Sequence, residues 1–168
     1  EGADAYTDSV AVLWQLAEAT RADGGWFWPA YDRHGAVAVL RRSGTLVDGG
    51  AFESDYLWLF TSARGRFTRI EMFEIDALDT ALARFAELRL DPPRLPPNAA
   101  TPAAATATTP TTRFANTATR TFDQMLTSWR DRDWQRFAQL LPSGFRFVDR
   151  QRMAQLELDR DRYLEYTR

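Results

Sequence analysis

The chain has no cysteine, no lysine and a single histidine, His34. Without cysteine there is no disulfide, no thiol nucleophile and no thiolate metal site. Without lysine there is no ε-amine for Schiff-base chemistry, and a phosphate-binding P-loop would lack its lysine. One histidine argues against a histidine-based metal site or triad, so no metal and no cofactor are expected. No apolar run approaches 18 residues and no signal-peptide pattern is present, which points to a soluble, cytoplasmic protein. All 21 basic residues are arginine, set among 23 acids for a net charge of −2. The two signs are interspersed, so neither nucleic acid nor an anionic membrane is expected as a partner. The Arg/Ala richness reads as the mark of a GC-rich genome.

What is present is aromatic. Six Trp and eleven Phe in 168 residues give a single domain's length ample material for an apolar interior or pocket. Tyr6, Val10, Leu13, Trp14 and Ala17 recur at helical spacing and predict an amphipathic helix that Gly24-Gly25 would stop. Trp26, Trp28 and Ala30 alternate as a strand, which Pro29 demotes to an edge or a bulge. Asp32-Arg33-His34-Gly35 reads as a turn into a second strand, Ala36–Arg41, and Asp48-Gly49-Gly50 as the next hairpin turn. Phe52, Ser54, Tyr56, Trp58 and Phe60 then face one way and Glu53, Asp55, Leu57 and Leu59 the other. Ala63-Arg64-Gly65 turns the chain back into Phe67–Phe73, and Asp76 reads as the cap of a helix carrying Leu78, Leu82 and Phe85 on one face.

Composition changes at Asp91. Six of the eight prolines fall in residues 92–110, and no acid occurs between Asp91 and Asp123. Such a stretch predicts a linker, with an extended surface-bound segment as the alternative. Beyond it, Phe114, Ala118, Phe122, Met125 and Trp129 form a second helical stripe. Asp133 caps a short helix bearing Trp134, Phe137, Ala138 and Leu141, which Pro142-Ser143-Gly144 ends. Phe145, Phe147 and Asp149 share a strand face, a strand follows around Met153–Leu158, and Asp159 or Asp161 caps a last helix. Three parts result: 1–90 with a helix, four strands and a helix; the linker 91–112; and 113–168 with two helices, two strands and a helix.

The run Phe122-Asp123-Gln124-Met125-Leu126, Trp129–Trp134, Leu140-Leu141-Pro142 and Phe145–Asp149 resembles the opening of nuclear transport factor 2-like domains of the SnoaL-like type. Phe67–Asp79 looks like the last strand and trailing helix of the same family. More narrowly, the stretches around Phe73–Leu88 and Arg130–Arg152 are similar to tandem SnoaL-like modules near the C-terminal ends of large actinobacterial regulatory proteins with cyclase or ATPase domains. The resemblance implies an α+β fold: a long and a short helix closing over a curved, mostly antiparallel sheet to form a cone with an internal pocket. The halves would then stand in permuted order, joined within one chain or exchanged between two, in a chain that begins and ends inside a domain. Asp4-Ala5-Tyr6 matches Asp161-Arg162-Tyr163 at an offset of 157 residues, as a tandem array cut within successive repeats would.

Within that frame Asp149 is the candidate catalytic base, an acid sharing an apolar strand face; the alternative places it at the strand end, in solvent, beside Arg150 or Arg152. Tyr56, Trp58, Phe60, Phe122 and Trp129 are the candidate ligand-binding residues, with plain core or interface packing as the alternative. His34 reads as an exposed turn residue, and Arg69 with Glu71 as a cross-strand ion pair. Ketosteroid isomerases of the family use a Tyr on the long helix and a pair of Asp; here that helix carries Phe122, Met125 and Trp129. SnoaL-like cyclases depend on a His–Asp pair, and His34 lies in a turn. Both departures favour a non-catalytic module that binds a small hydrophobic ligand or mediates assembly within a larger regulatory protein. The alternative is a small isomerase, cyclase or hydrolase acting through Asp149. Leu57 and Leu59, apolar on the second face of their strand, further suggest a homodimer through the sheet.

Overall fold

The computed structural model describes residues 17–46, 49–88, 116–152 and 154–167, and of 17–26 and 46 the backbone alone. The predicted helix over Tyr6–Trp14, Trp26's side chain and the linker 91–112 lie outside the described residues. The described chain is α+β, a six-stranded sheet in the order β1-β2-β3-β4-β5-β6 with four helices. The strands are β1 (Ala17–Tyr31), β2 (Gly35–Leu46), β3 (Ala51–Ala63), β4 (Arg66–Glu74), β5 (Arg146–Asp149) and β6 (Leu156–Asp159). The helices are α1 (Leu78–Leu88), α2 (Thr117–Arg130), α3 (Trp134–Gln139) and α4 (Arg160–Tyr166). Among these helices none is long and apolar enough to cross a membrane.

Every neighbouring pair is antiparallel except β4–β5, where Arg69–Met72 run parallel to Arg146–Asp149. That parallel seam joins the segment before the proline-rich stretch to the segment after it in one sheet. One apolar cluster also spans both segments, from Ala36, Trp58 and Phe60 to Phe122, Phe145 and Leu158.

Turn chemistry sets much of the register. Arg64 and Gly65 both sit at positive φ, 53° and 72°, the primed turn whose twist matches its flanking strands. Asp32 Oδ1 accepts from the backbone N–H groups of His34 and Gly35, closing the β1–β2 turn, where His34 is half-buried rather than exposed. A Cβ on Gly35 would lie 2.1 Å from the Phe60 carbonyl oxygen, so only glycine lets β2 begin this close to β3.

The first predicted helix needs correction. Its end from Ala17, and the Gly24-Gly25 expected to stop it, belong instead to β1, which pairs with β2 from Ala17↔Leu46 through Gly24↔Leu40. Gly24-Gly25 marks a register shift, and a second shift brackets Pro29, consistent with a proline tolerated on an edge strand at a bulge. The strand expected around Met153–Leu158 begins only at Leu156. Asp76 directs its carboxylate to Arg152 Nη2 at 3.0 Å, while the first helical bond of α1 runs from Ala81 N–H to the Ala77 carbonyl. The later caps agree with the sequence: Asp133 accepts from Arg136 N–H and Asp159 from Arg162 N–H.

From Tyr56 to Phe60 both faces of β3 are buried, while Ala51–Asp55 remain exposed or half-buried. Tyr56, Trp58 and Phe60 enter the cluster beneath α2, and Leu57 and Leu59 enter a second cluster with Val37, Val39 and Phe73 that packs on Ala81 and Phe85 of α1. Within one chain Leu57 and Leu59 are only 1% and 0% exposed, so these side chains alone give no reason for a second copy.

Candidate functional site

The inner face of the sheet divides into two regions. One is close-packed aromatic material. Phe122 of α2 stacks on Phe60 with ring centroids 5.2 Å apart, meets Trp28 edge-on at 5.1 Å and reaches Trp58 at 6.4 Å. Phe67 closes against Phe60 at 5.3 Å. A register shift at Thr61/Ser62 leaves Thr68 as the extra residue of β4, so Phe67 joins Ile70 and Met72 on the inner face, away from Arg69 and Glu71.

The other region is polar. Strand register aligns Ala38, Trp58, Met72, Asp149 and Leu156 in one row across β2 to β6. Tyr56 sits one step along β3, its ring 6.3 Å from that of Trp58 and under the Arg42 guanidinium at 5.3 Å. Tyr163 of α4 stacks on Phe147 at 4.7 Å, with Tyr166 beside it. Among the described residues, Trp58 Nε1 and Asp149 Oδ2 are buried and have no hydrogen-bond partner, and the buried Tyr56 hydroxyl, beside the Arg42 guanidinium, donates to nothing. Buried polar atoms are ordinarily satisfied, because stranding one costs about 1–3 kcal/mol.

Asp149 is 1% exposed and lies on the inner face, so the solvent-paired alternative does not hold. Arg150 instead binds Glu71 on the opposite face, and Arg152 binds Glu74 and Asp76. The Asp149 Oδ1 accepts from Gln151 N–H at 2.9 Å. Burial pushes the carboxyl up to about 6, with Glu74 adding to the rise while the Gln151 bond and the Arg42 charge oppose it. Burial likewise raises the Tyr56 and Tyr163 hydroxyls; the Arg42 charge opposes the rise at both, and a hydrogen bond from Arg42 opposes it at Tyr56 as well.

The raised value has a thermodynamic sign. An acid whose folded pKa exceeds its ordinary 3.8 contributes fully to stability below that pH, and the contribution is lost as pH rises through about 6. Asp149→Asn removes the buried charge and keeps an oxygen for the Gln151 N–H. The variant should therefore gain about 2–3 kcal/mol over the parent at pH 7.5 compared with pH 4. Urea unfolding at the two pH values measures this, and an equal difference at both would refute the buried ionised carboxylate.

The structure thus brings Tyr56, Trp58 and Asp149 together and places Phe60 and Phe122 in the packed region next to them. Trp129 is half-buried and falls outside this cluster. Arg42 and Tyr163 escaped the sequence reading. Arg42 continues the even-numbered phase of Ala38 and Leu40, and Tyr163 lies four residues past the Asp159 cap, so each carried a periodic signal. Comparison with protein-family models, with curated proteins and with solved structures found no match for this chain.

Proposed function

We propose that the polar end of the inner face binds a small, mostly apolar molecule carrying at least one hydrogen-bonding group. The observation that carries this reading is the buried polar capacity left unused here: the donor of a phenol, an indole N–H and a carboxylate oxygen. Two can donate and one accepts, the complement of a ligand with a carbonyl or hydroxyl on a hydrocarbon frame. A SnoaL-like cone with its halves in permuted order is supported by two features. A long helix followed by a short one packs over the sheet, and the two segments share one sheet through β4–β5. Placement in a larger regulatory protein rests on the resemblance of sequence alone.

A second reading, catalysis by Asp149, is favoured by one juxtaposition. A carboxyl raised to about 6 stands in the same region as Tyr56 and Trp58, donors able to stabilise developing negative charge.

Titration with a panel of hydrophobic carbonyl and hydroxyl compounds, read by tryptophan fluorescence, tests both. Binding should weaken about tenfold in Tyr56→Phe, which deletes a single oxygen. Turnover of a bound compound that falls about 100-fold in Asp149→Asn while its binding persists would select the catalytic reading. No binding across the panel would sink the proposal.

A further inference from the structure

On the opposite face of the sheet, three guanidinium groups converge on one carboxylate. Glu71 is completely buried and accepts from Arg69 Nε, from Arg150 Nε and from Arg84 Nε at 3.1 and 3.2 Å. Arg69 comes from the same strand, Arg150 follows β5 and Arg84 projects from α1, so three elements meet here. Arg84 also binds Glu87 at 2.7 Å through Nη1, and Arg150 lies 5.9 Å from the centre of the Phe73 ring.

Two properties make this more than an ion pair. All three arginines hold Glu71 through Nε, and the Nη groups of Arg69 and Arg150 make no hydrogen bond among the described residues. The side chains of Arg69, Arg84 and Arg150 remain 24%, 27% and 39% exposed, so each keeps contact with solvent. Charge is also unbalanced. Glu71 and Glu87 offset two of the three arginines, and beyond them Arg146, aligned with Arg69 across the parallel seam, stands opposite Asp159, with Glu157 on the same face. A guanidinium fixed by a buried carboxylate has already lost most of its rotamer freedom, so a ligand meets donors that need little further ordering.

We propose that Arg69, Arg84 and Arg150, held in place by Glu71, form a surface site for a phosphate-type dianion. Guanidinium forks match the oxygen spacing of phosphate and carboxylate alike. Within the cluster one arginine is left without an acid, which favours the doubly charged group, because Coulomb attraction scales with ligand charge. The site is independent of the one on the inner face.

Titration of the intact chain with inorganic phosphate, at constant ionic strength in chloride and followed by 31P line broadening and calorimetry, tests the assignment. One equivalent should bind with a Kd of about 1 mM or tighter, and Arg69→Gln or Arg150→Gln should weaken it at least tenfold. Arg130→Gln, at an exposed position on α2, should leave binding unchanged. Failure to saturate the parent protein overturns the proposal without reference to any variant's folding. So does binding that persists in both Arg69→Gln and Arg150→Gln, and acetate binding as tightly as phosphate overturns the dianion assignment.

Discussion

Replacing Glu71 with alanine is expected to cost about 3 kcal/mol of folding stability, the low end of the range for removing one partner of a buried ion pair. The low end applies because Arg69, Arg84 and Arg150 are partly exposed and can rehydrate. Burial alone would raise the Glu71 carboxyl, yet hydrogen bonds from Arg150 and Arg69, and their charges, hold it below its ordinary 4.5. A depressed acid contributes fully above its ordinary value, and the contribution disappears as pH falls through the folded one. The gap between parent and variant should therefore be full at pH 7 and shrink progressively below about pH 4.5. Denaturant unfolding across that range checks both magnitude and sign. A loss below about 1 kcal/mol at pH 7 would mean that the cluster merely decorates a sheet held by other contacts.

Phe122→Ala should cost about 3–5 kcal/mol, the range for deleting a buried aromatic ring. The ring is fully buried and touches Trp28, Trp58 and Phe60, so truncation opens a void between α2 and the sheet. The same variant separates two roles for this residue. If Phe122 belongs to the ligand site, binding changes while stability holds, whereas core packing predicts the reverse. Calorimetric unfolding alongside the ligand titration distinguishes them. A stability loss below about 1 kcal/mol would overturn the packing role.

Local pattern reached far in this chain where two signals coincided. The alternation from Tyr56 to Phe60 carries large apolar side chains in both phases, and both faces of β3 are buried there. Asp133 and Asp159 each precede a short apolar periodic stretch, and both cap helices. The pattern misled where partners are distant. Ala17 closes a helical stripe on paper, but the register of Ala17–Gly24 with Leu40–Leu46 makes the segment a strand, as tertiary pairing overrides weak local preference. Asp149 was legible as a candidate by parity alone. Its burial was not, because that depends on β4, β6 and α4 arriving on every side. Arg69 and Glu71 were visible as near neighbours in sequence. The convergence of Arg84 and Arg150, 13 and 79 residues from Glu71, leaves no trace in any local window.

The strand order has a kinetic consequence. Because sheet order follows chain order, β1 to β4 form a meander in which consecutive strands are close in sequence. The β4–β5 seam differs, pairing Met72 with Asp149 across the intervening chain. Loop-closure entropy sets in before that contact returns any stabilisation. The meander is therefore the natural early nucleus, and docking of β5 the late event. Substitutions at the seam should then act mainly on the unfolding rate, while those within β2–β3 slow folding itself.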